Sequence, residues 1–98
     1  MRLAFHPEAL TEYSEATLYY EERQAGLGAD FVADIEATIE RIIESPTRWR
    51  ILEEDVRRCL VHVFPYGVLY SVEQDFVLIV AVMHCSREPG YWKDRLKK

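Results

Sequence analysis

Two apolar runs flank an acidic interruption in Tyr66-Gly67-Val68-Leu69-Tyr70-Ser71-Val72-Glu73-Gln74-Asp75-Phe76-Val77-Leu78-Ile79-Val80-Ala81-Val82-Met83. In the first run Tyr66, Val68, Tyr70 and Val72 alternate with Gly67, Leu69 and Ser71, the period of a strand. The second is apolar at every position, as expected of a central strand covered on both faces over part of its length. Glu73-Gln74-Asp75 then reads as a three-residue hairpin loop.

The same period extends upstream. Trp49, Ile51 and Glu53 alternate with Arg50 and Leu52, while Cys59, Val61 and Val63 alternate with Arg58, Leu60, His62 and Phe64. Turns at Glu54-Asp55 and Pro65 separate these strands, so four consecutive strands make a meander. Before Pro46 the period is helical. Phe31, Ile35, Ile39 and Ile42 form one ridge, with Asp34, Glu40, Arg41 and Glu44 opposite, in a helix predicted from near Ala29 to Ser45. An earlier helix carries Ala9, Tyr13, Ala16 and Tyr20. Pro7 opens it, Glu8 and Glu12 favour the positive end of its dipole, and Gly26-Leu27-Gly28 closes the turn after it. Two helices joined by so short a turn pack antiparallel.

Met1–Phe5 is a short apolar stretch with no hairpin partner, which places it at a sheet edge. The predicted fold is α+β: an antiparallel meander with an N-terminal strand and a two-helix hairpin packed on one face. Beyond Glu88-Pro89-Gly90, the segment Tyr91–Lys98 reads as a basic turn or two or a frayed tail, ending in Lys97-Lys98.

At 98 residues, the chain is expected to form one domain over residues 1–98. Its 49% apolar and 30% charged residues exclude a disordered tail. Two cysteines, Cys59 and Cys85, are too few for a disulfide framework. The N-terminus lacks a signal-peptide layout, and the Phe76–Met83 run is far shorter than the roughly 20 residues of a membrane helix. A cytoplasmic protein without membrane association is expected. The net charge of −5 is uneven: residues 1–45 hold ten acidic and three basic side chains, residues 46–98 seven acidic and nine basic. That balance opposes strong nonspecific nucleic-acid binding and leaves room for a local contact through the second half.

Cys59, His62, His84 and Cys85 stand in no zinc spacing, and no metal or cofactor is expected. No serine sits in a nucleophile motif, no glycine loop is built to cradle phosphates, and the carboxylates of residues 8–44 read as solvated helix faces. A basic, aromatic cluster remains. Meander geometry brings Arg57 and Arg58 to the sheet edge where His84-Cys85-Ser86-Arg87-Glu88-Pro89-Gly90-Tyr91-Trp92-Lys93 leaves the last strand. Such a cluster suits a phosphate with a stacked base, or a protein partner. Alternatively, Tyr91 and Trp92 pin the C-terminal segment to the core while the arginines pair with Glu53, Glu54 or Glu88.

Three motifs, in this order of elements, resemble the RelE/ParE superfamily of bacterial type II toxins. Phe5-His6-Pro7-Glu8-Ala9 resembles the family's strand-to-helix passage. Phe64-Pro65-Tyr66-Gly67-Val68-Leu69-Tyr70 resembles its central strand, with Gly67 where an arginine is usual. His84-Cys85-Ser86-Arg87-Glu88-Pro89-Gly90-Tyr91-Trp92 resembles its closing motif and favours the ParE-like branch. The resemblance implies a toxin of a plasmid-stabilisation pair, neutralised by a cognate antitoxin that covers an apolar groove along the helices and uncovered strands. DNA gyrase is the implied target of ParE-like members, which inhibit by binding; Arg57, Arg58, His84, Arg87, Tyr91 and Trp92 would form the contact surface. RelE-like members instead cleave mRNA on the ribosome without metal. That carry-over reaches only Arg58, Arg87 and Tyr91, because no lysine precedes Lys93, although Arg48 and Arg50 supply charge. A non-toxic, decayed binding module is the third alternative.

Overall fold

A computed structural model describes residues 1–96, so the Lys97-Lys98 end lies outside the described residues. Strand β1 (Arg2–Phe5) leads through His6 into α1 (Pro7–Arg23), and Gly26 then turns the chain into α2 (Leu27–Glu44). Strands β2 (Ile51–Glu53), β3 (Val56–Leu60), β4 (Tyr66–Val72) and β5 (Phe76–His84) follow. A 3₁₀ turn at Lys93–Leu96 is the last element. The His6 imidazole Nδ1 accepts from the Glu8 amide and caps α1, with Pro7 in the first turn.

The sheet order is β1-β5-β4-β3-β2, with β2 to β5 antiparallel as a meander. Strand β1 takes the predicted edge position, but beside β5 and parallel to it, so the sheet is mixed. The helical hairpin makes this possible, since a parallel partner needs a long crossover connection.

Both helices lie on one face. Phe31, Ile35, Ile39 and Ile42 meet Cys59, Val68, Tyr70, Val77, Ile79 and Val82 in the main core. Ala9 and Ala16 are the buried residues of α1, letting its backbone come close. The helices touch at Gly28, where an added Cβ would lie 2.9 Å from the Thr17 carbonyl oxygen and from Glu21. The Glu21 carboxylate accepts from the Gly26 and Gly28 amides and ties the turn between them.

A bulge in β5 sets which residues face which core. Leu69 pairs with Ala81 and Tyr70 with Ile79, leaving Val80 as the extra residue. Ile79 and Val82 therefore both face the helices, while Val80, Ala81 and Met83 join Val56, Leu69 and Trp92 in a second core on the opposite face.

Two sequence expectations change. The strand predicted over Arg58–Phe64 stops at Leu60. Asp34 causes this: its carboxylate accepts from the amides of His62 (3.1 Å), Val63 (2.8 Å) and Phe64 (3.1 Å), which withdraws all three from any ladder. Asp34 is itself buried, so it does not belong to a solvated helix face. Nor does Glu12, whose side chain is only 15% exposed.

Candidate functional site

The turn after β5 carries the closing motif. The Cys85 amide donates to the Pro65 carbonyl and the Arg87 amide to the His84 carbonyl, so the chain folds sharply beside the β3–β4 connection. His84 sits opposite Tyr66 with ring centroids 5.1 Å apart, and its Nδ1 accepts from the Ser86 amide. Gly90, at φ +81°, then turns Tyr91 and Trp92 back under the sheet.

Trp92 is 1% exposed and fills the second core. This corrects the expectation that it belongs to a contact surface: an indole that supplies the hydrophobic cover of a bare sheet face is not offered to a partner. Arg57 is also removed from that surface, because its guanidinium donates to the Thr47 carbonyl at 3.1 Å and the Trp49 carbonyl at 2.7 Å and holds the approach to β2. The alternative pairing of the arginines with Glu53, Glu54 or Glu88 does not form among the described residues; Lys93 takes the Glu53 carboxylate at 2.7 Å.

Arg58 and Arg87 come together. With Glu53, Met83, Cys85, Pro89 and the Trp92 edge they line a recess of about 250 Å³. Gly67 contributes by what it lacks: a Cβ there would stand 3.3 Å from Arg58 Cγ and 3.4 Å from a Leu60 methyl, so the bare backbone lets the arginine stem lie across β4. No histidine or tyrosine lines this recess.

Arg87 also borders a second recess, of about 330 Å³, between α1 and the end of β5, with Glu12, Glu15, Tyr19, Tyr66, His84 and Tyr91. Here two guanidiniums pack on the Tyr91 ring, Arg87 at 4.0 Å and Arg95 at 5.0 Å from its centroid. Its hydroxyl donates to Glu12 at 2.6 Å. Burial pushes the Tyr91 phenol up, and the Glu12 carboxylate beside it pushes it further.

Sequence reasoning missed Glu12 and Arg95. Glu12 accepts two hydrogen bonds of 2.8 Å from Arg95, one from Tyr91 and one from the Val82 amide. Strand β1 pairs no further than Ile79, so Val82 lies past its end, and this carboxylate serves the edge amide instead. The only sequence signal was a glutamate on the stripe side of α1, which any exposed glutamate resembles. Among the described residues no group of three His, Cys, Asp or Glu is placed to hold a metal ion, and no helix is long and apolar enough to cross a membrane.

The helical hairpin adds a groove of about 570 Å³ between α1 and α2, lined by Leu10, Tyr13, Thr17, Leu18, Ala29 and Val32. Leu10 and Leu18 are 51% and 58% exposed.

No curated protein matches the chain in sequence. Among solved structures, one from P. aeruginosa described as a chromosomal ParDE TA system superposes with a TM-score of 0.74 at 17% identity, over 86% of this chain and 95% of that one. That likeness shows a shared fold. The sequence profile described as "ParE toxin of type II toxin-antitoxin system, parDE" matches residues 3–89, from β1 through the turn carrying Arg87. With nine-tenths of its length so matched on the fold seen here, this chain belongs to the ParE toxin family.

Proposed function

We propose that this toxin acts in the cytoplasm by binding a macromolecular target, DNA gyrase in the ParE-like reading, through Arg58 on β3, Arg87 and the turn that carries Arg87. The single observation that carries the choice of binding over turnover is the state of Tyr91. Its hydroxyl is committed to Glu12 and its phenol is raised, while the Arg58–Arg87 recess offers no histidine or tyrosine to move a proton. The carboxylate of that recess, Glu53, is already held by Lys93 at 2.7 Å, and two guanidiniums beside it are suited to hold an anionic group.

Inducing the chain alone should arrest growth, and Arg58→Ala with Arg87→Ala should relieve the arrest. Both residues are exposed, so the variant keeps the fold. Tyr91→Phe separates binding from catalysis. Arrest that survives it supports the binding reading; arrest lost with a folded protein, together with codon-positioned cuts by primer extension, supports the ribosome-dependent nuclease reading. That second reading draws on the shared recess of Arg58 and Arg87, which suits a phosphate.

An antitoxin is the proposed occupant of the hairpin groove. Burial of Leu10, Leu18 and Val32 would drive its docking at roughly 25 cal/mol per Å² before ordering costs. Glu15, Glu21, Glu22 and Glu36 on the two helices favour a docking segment with basic residues. Co-expression of the adjacent gene's product should restore growth, and Leu18→Asp should abolish that rescue.

A further inference from the structure

A third recess adjoins the Arg58–Arg87 recess, sharing Arg58 with it, where the end of α2 meets β2 and β3. It measures about 270 Å³ and is lined by Arg41, Trp49, Arg50, Leu52, Arg58, Leu60 and His62, with no carboxylate among them. The chain has 17 acidic side chains against 12 lysines and arginines. Yet the ion pairs among the described residues involve only Arg2, Lys93 and Arg95 as cations. Arg41 donates to the Thr38 hydroxyl, and Arg48 lies 4.8 Å from the centroid of the Trp49 ring. Arg41, Arg48, Arg50 and Arg58 thus crowd one rim without an ion pair among the described residues, a positive field in an acidic protein.

Two further features point to what answers it. Trp49 Nε1 is a buried side-chain donor with no acceptor among the described residues, the single such atom, and a segment docked on the rim would satisfy it once the indole turns outward. Strand β2 is the outermost strand and exposed throughout, so one backbone edge is unpaired beside the exposed Ile51, Leu52 and Leu60. An added strand would gain ladder hydrogen bonds, apolar contact and guanidinium partners together.

We infer that this rim receives an acidic, extended segment of a protein partner, paired along β2 with its carboxylates on Arg41, Arg50 and Arg58. A nucleic-acid strand fits less well. Arg48 covers a face of the Trp49 ring, so stacking room for bases is reduced. The ten acidic side chains of residues 1–45 would also repel a long polyphosphate. The inference goes beyond the toxin reading, since it holds whether or not the chain arrests growth.

The test uses the full chain and a short fluorescein-labelled peptide alternating glutamate and valine. A lysine–valine counterpart and a thymidine oligonucleotide of similar length serve as competitors. The acidic peptide should bind by anisotropy, weaken with added salt, and shift the indole N–H resonance of Trp49, assigned with Trp49→Phe. Arg50→Glu and Leu52→Asp, both at exposed positions, should each weaken binding about tenfold with unchanged circular dichroism. Failure of the acidic peptide to bind overturns the inference. So does equal affinity in folded Arg50→Glu, or tighter binding by the oligonucleotide.

Discussion

The guanidinium of Arg95 and the carboxylate of Glu12, 83 positions apart, meet through two parallel hydrogen bonds of 2.8 Å. Arg95 also donates to the Val80 carbonyl, and Glu12 accepts from the Val82 amide. One ion pair therefore joins the first helix, the bulged part of β5 and the C-terminal turn. It finishes the stretch of sheet edge that β1 does not reach.

Removing either partner strands the other charge in a mostly buried place, with side-chain exposures of 8% and 15%. Arg95→Ala should lower unfolding free energy by about 3 kcal/mol, measured by urea denaturation. Glu12→Gln, which keeps one acceptor, should cost less.

Acid should reverse the same clamp. Burial pushes the Glu12 carboxyl up, but hydrogen bonds from Arg95, Tyr91 and the Val82 amide outweigh it and hold the carboxyl below its usual range. A depressed folded value means the stabilisation is complete above the ordinary glutamate value of about 4.3 and drains as pH falls through the lower folded one. Stability of the wild type should drop over that window more steeply than that of Glu12→Gln.

Base acts in the opposite direction on the tyrosines. Burial, opposed by Arg57, pushes the Tyr70 phenol up to about 12. Burial with a neighbouring carboxylate raises Tyr13 and Tyr91 further. Raised phenols stabilise the fold below their unfolded value of about 10, and this is lost as pH rises through the folded one. Ultraviolet titration should show these three of the six tyrosines ionising only in strong base, and Tyr91→Phe should remove one late step.

Asp34 pins the loop after β3 by accepting three backbone amides. Asp34→Ala should cost about 2 kcal/mol and speed hydrogen exchange at His62, Val63 and Phe64, while the β4–β5 amides keep their protection.

The two glycines of the helix turn should respond differently to alanine. Gly28→Ala drives a Cβ into a backbone oxygen at 2.9 Å and should cost about 1–3 kcal/mol. Gly26→Ala meets open space, and its φ of +90° alone should cost about 1 kcal/mol. Thermal melts of both variants rank the two effects.

Periodicity made the helices, the Glu54-Asp55 turn, the β4–β5 hairpin and the edge position of β1 readable, because each depends on neighbours in the chain. Ala9, Ala16, Phe31 and Ile35 announced their burial by spacing alone. Arg58 and Arg87 were placed together by the geometry of a meander, which a sequence carries implicitly. Which charged or aromatic groups would be spent internally was decided only on folding. Trp92 went under the sheet because one face had no helix to cover it, and Arg57 was drawn to carbonyls left open before β2. Glu12 and Asp34 became acceptors for amides that no strand served. Those outcomes rest on contacts that local periodicity does not encode, from 8 positions apart for Arg57 and Trp49 to 83 for Glu12 and Arg95. The bulge at Val80 is the plainest case, since one extra residue reverses the facing of all that follows, and only the register against β4 reveals it.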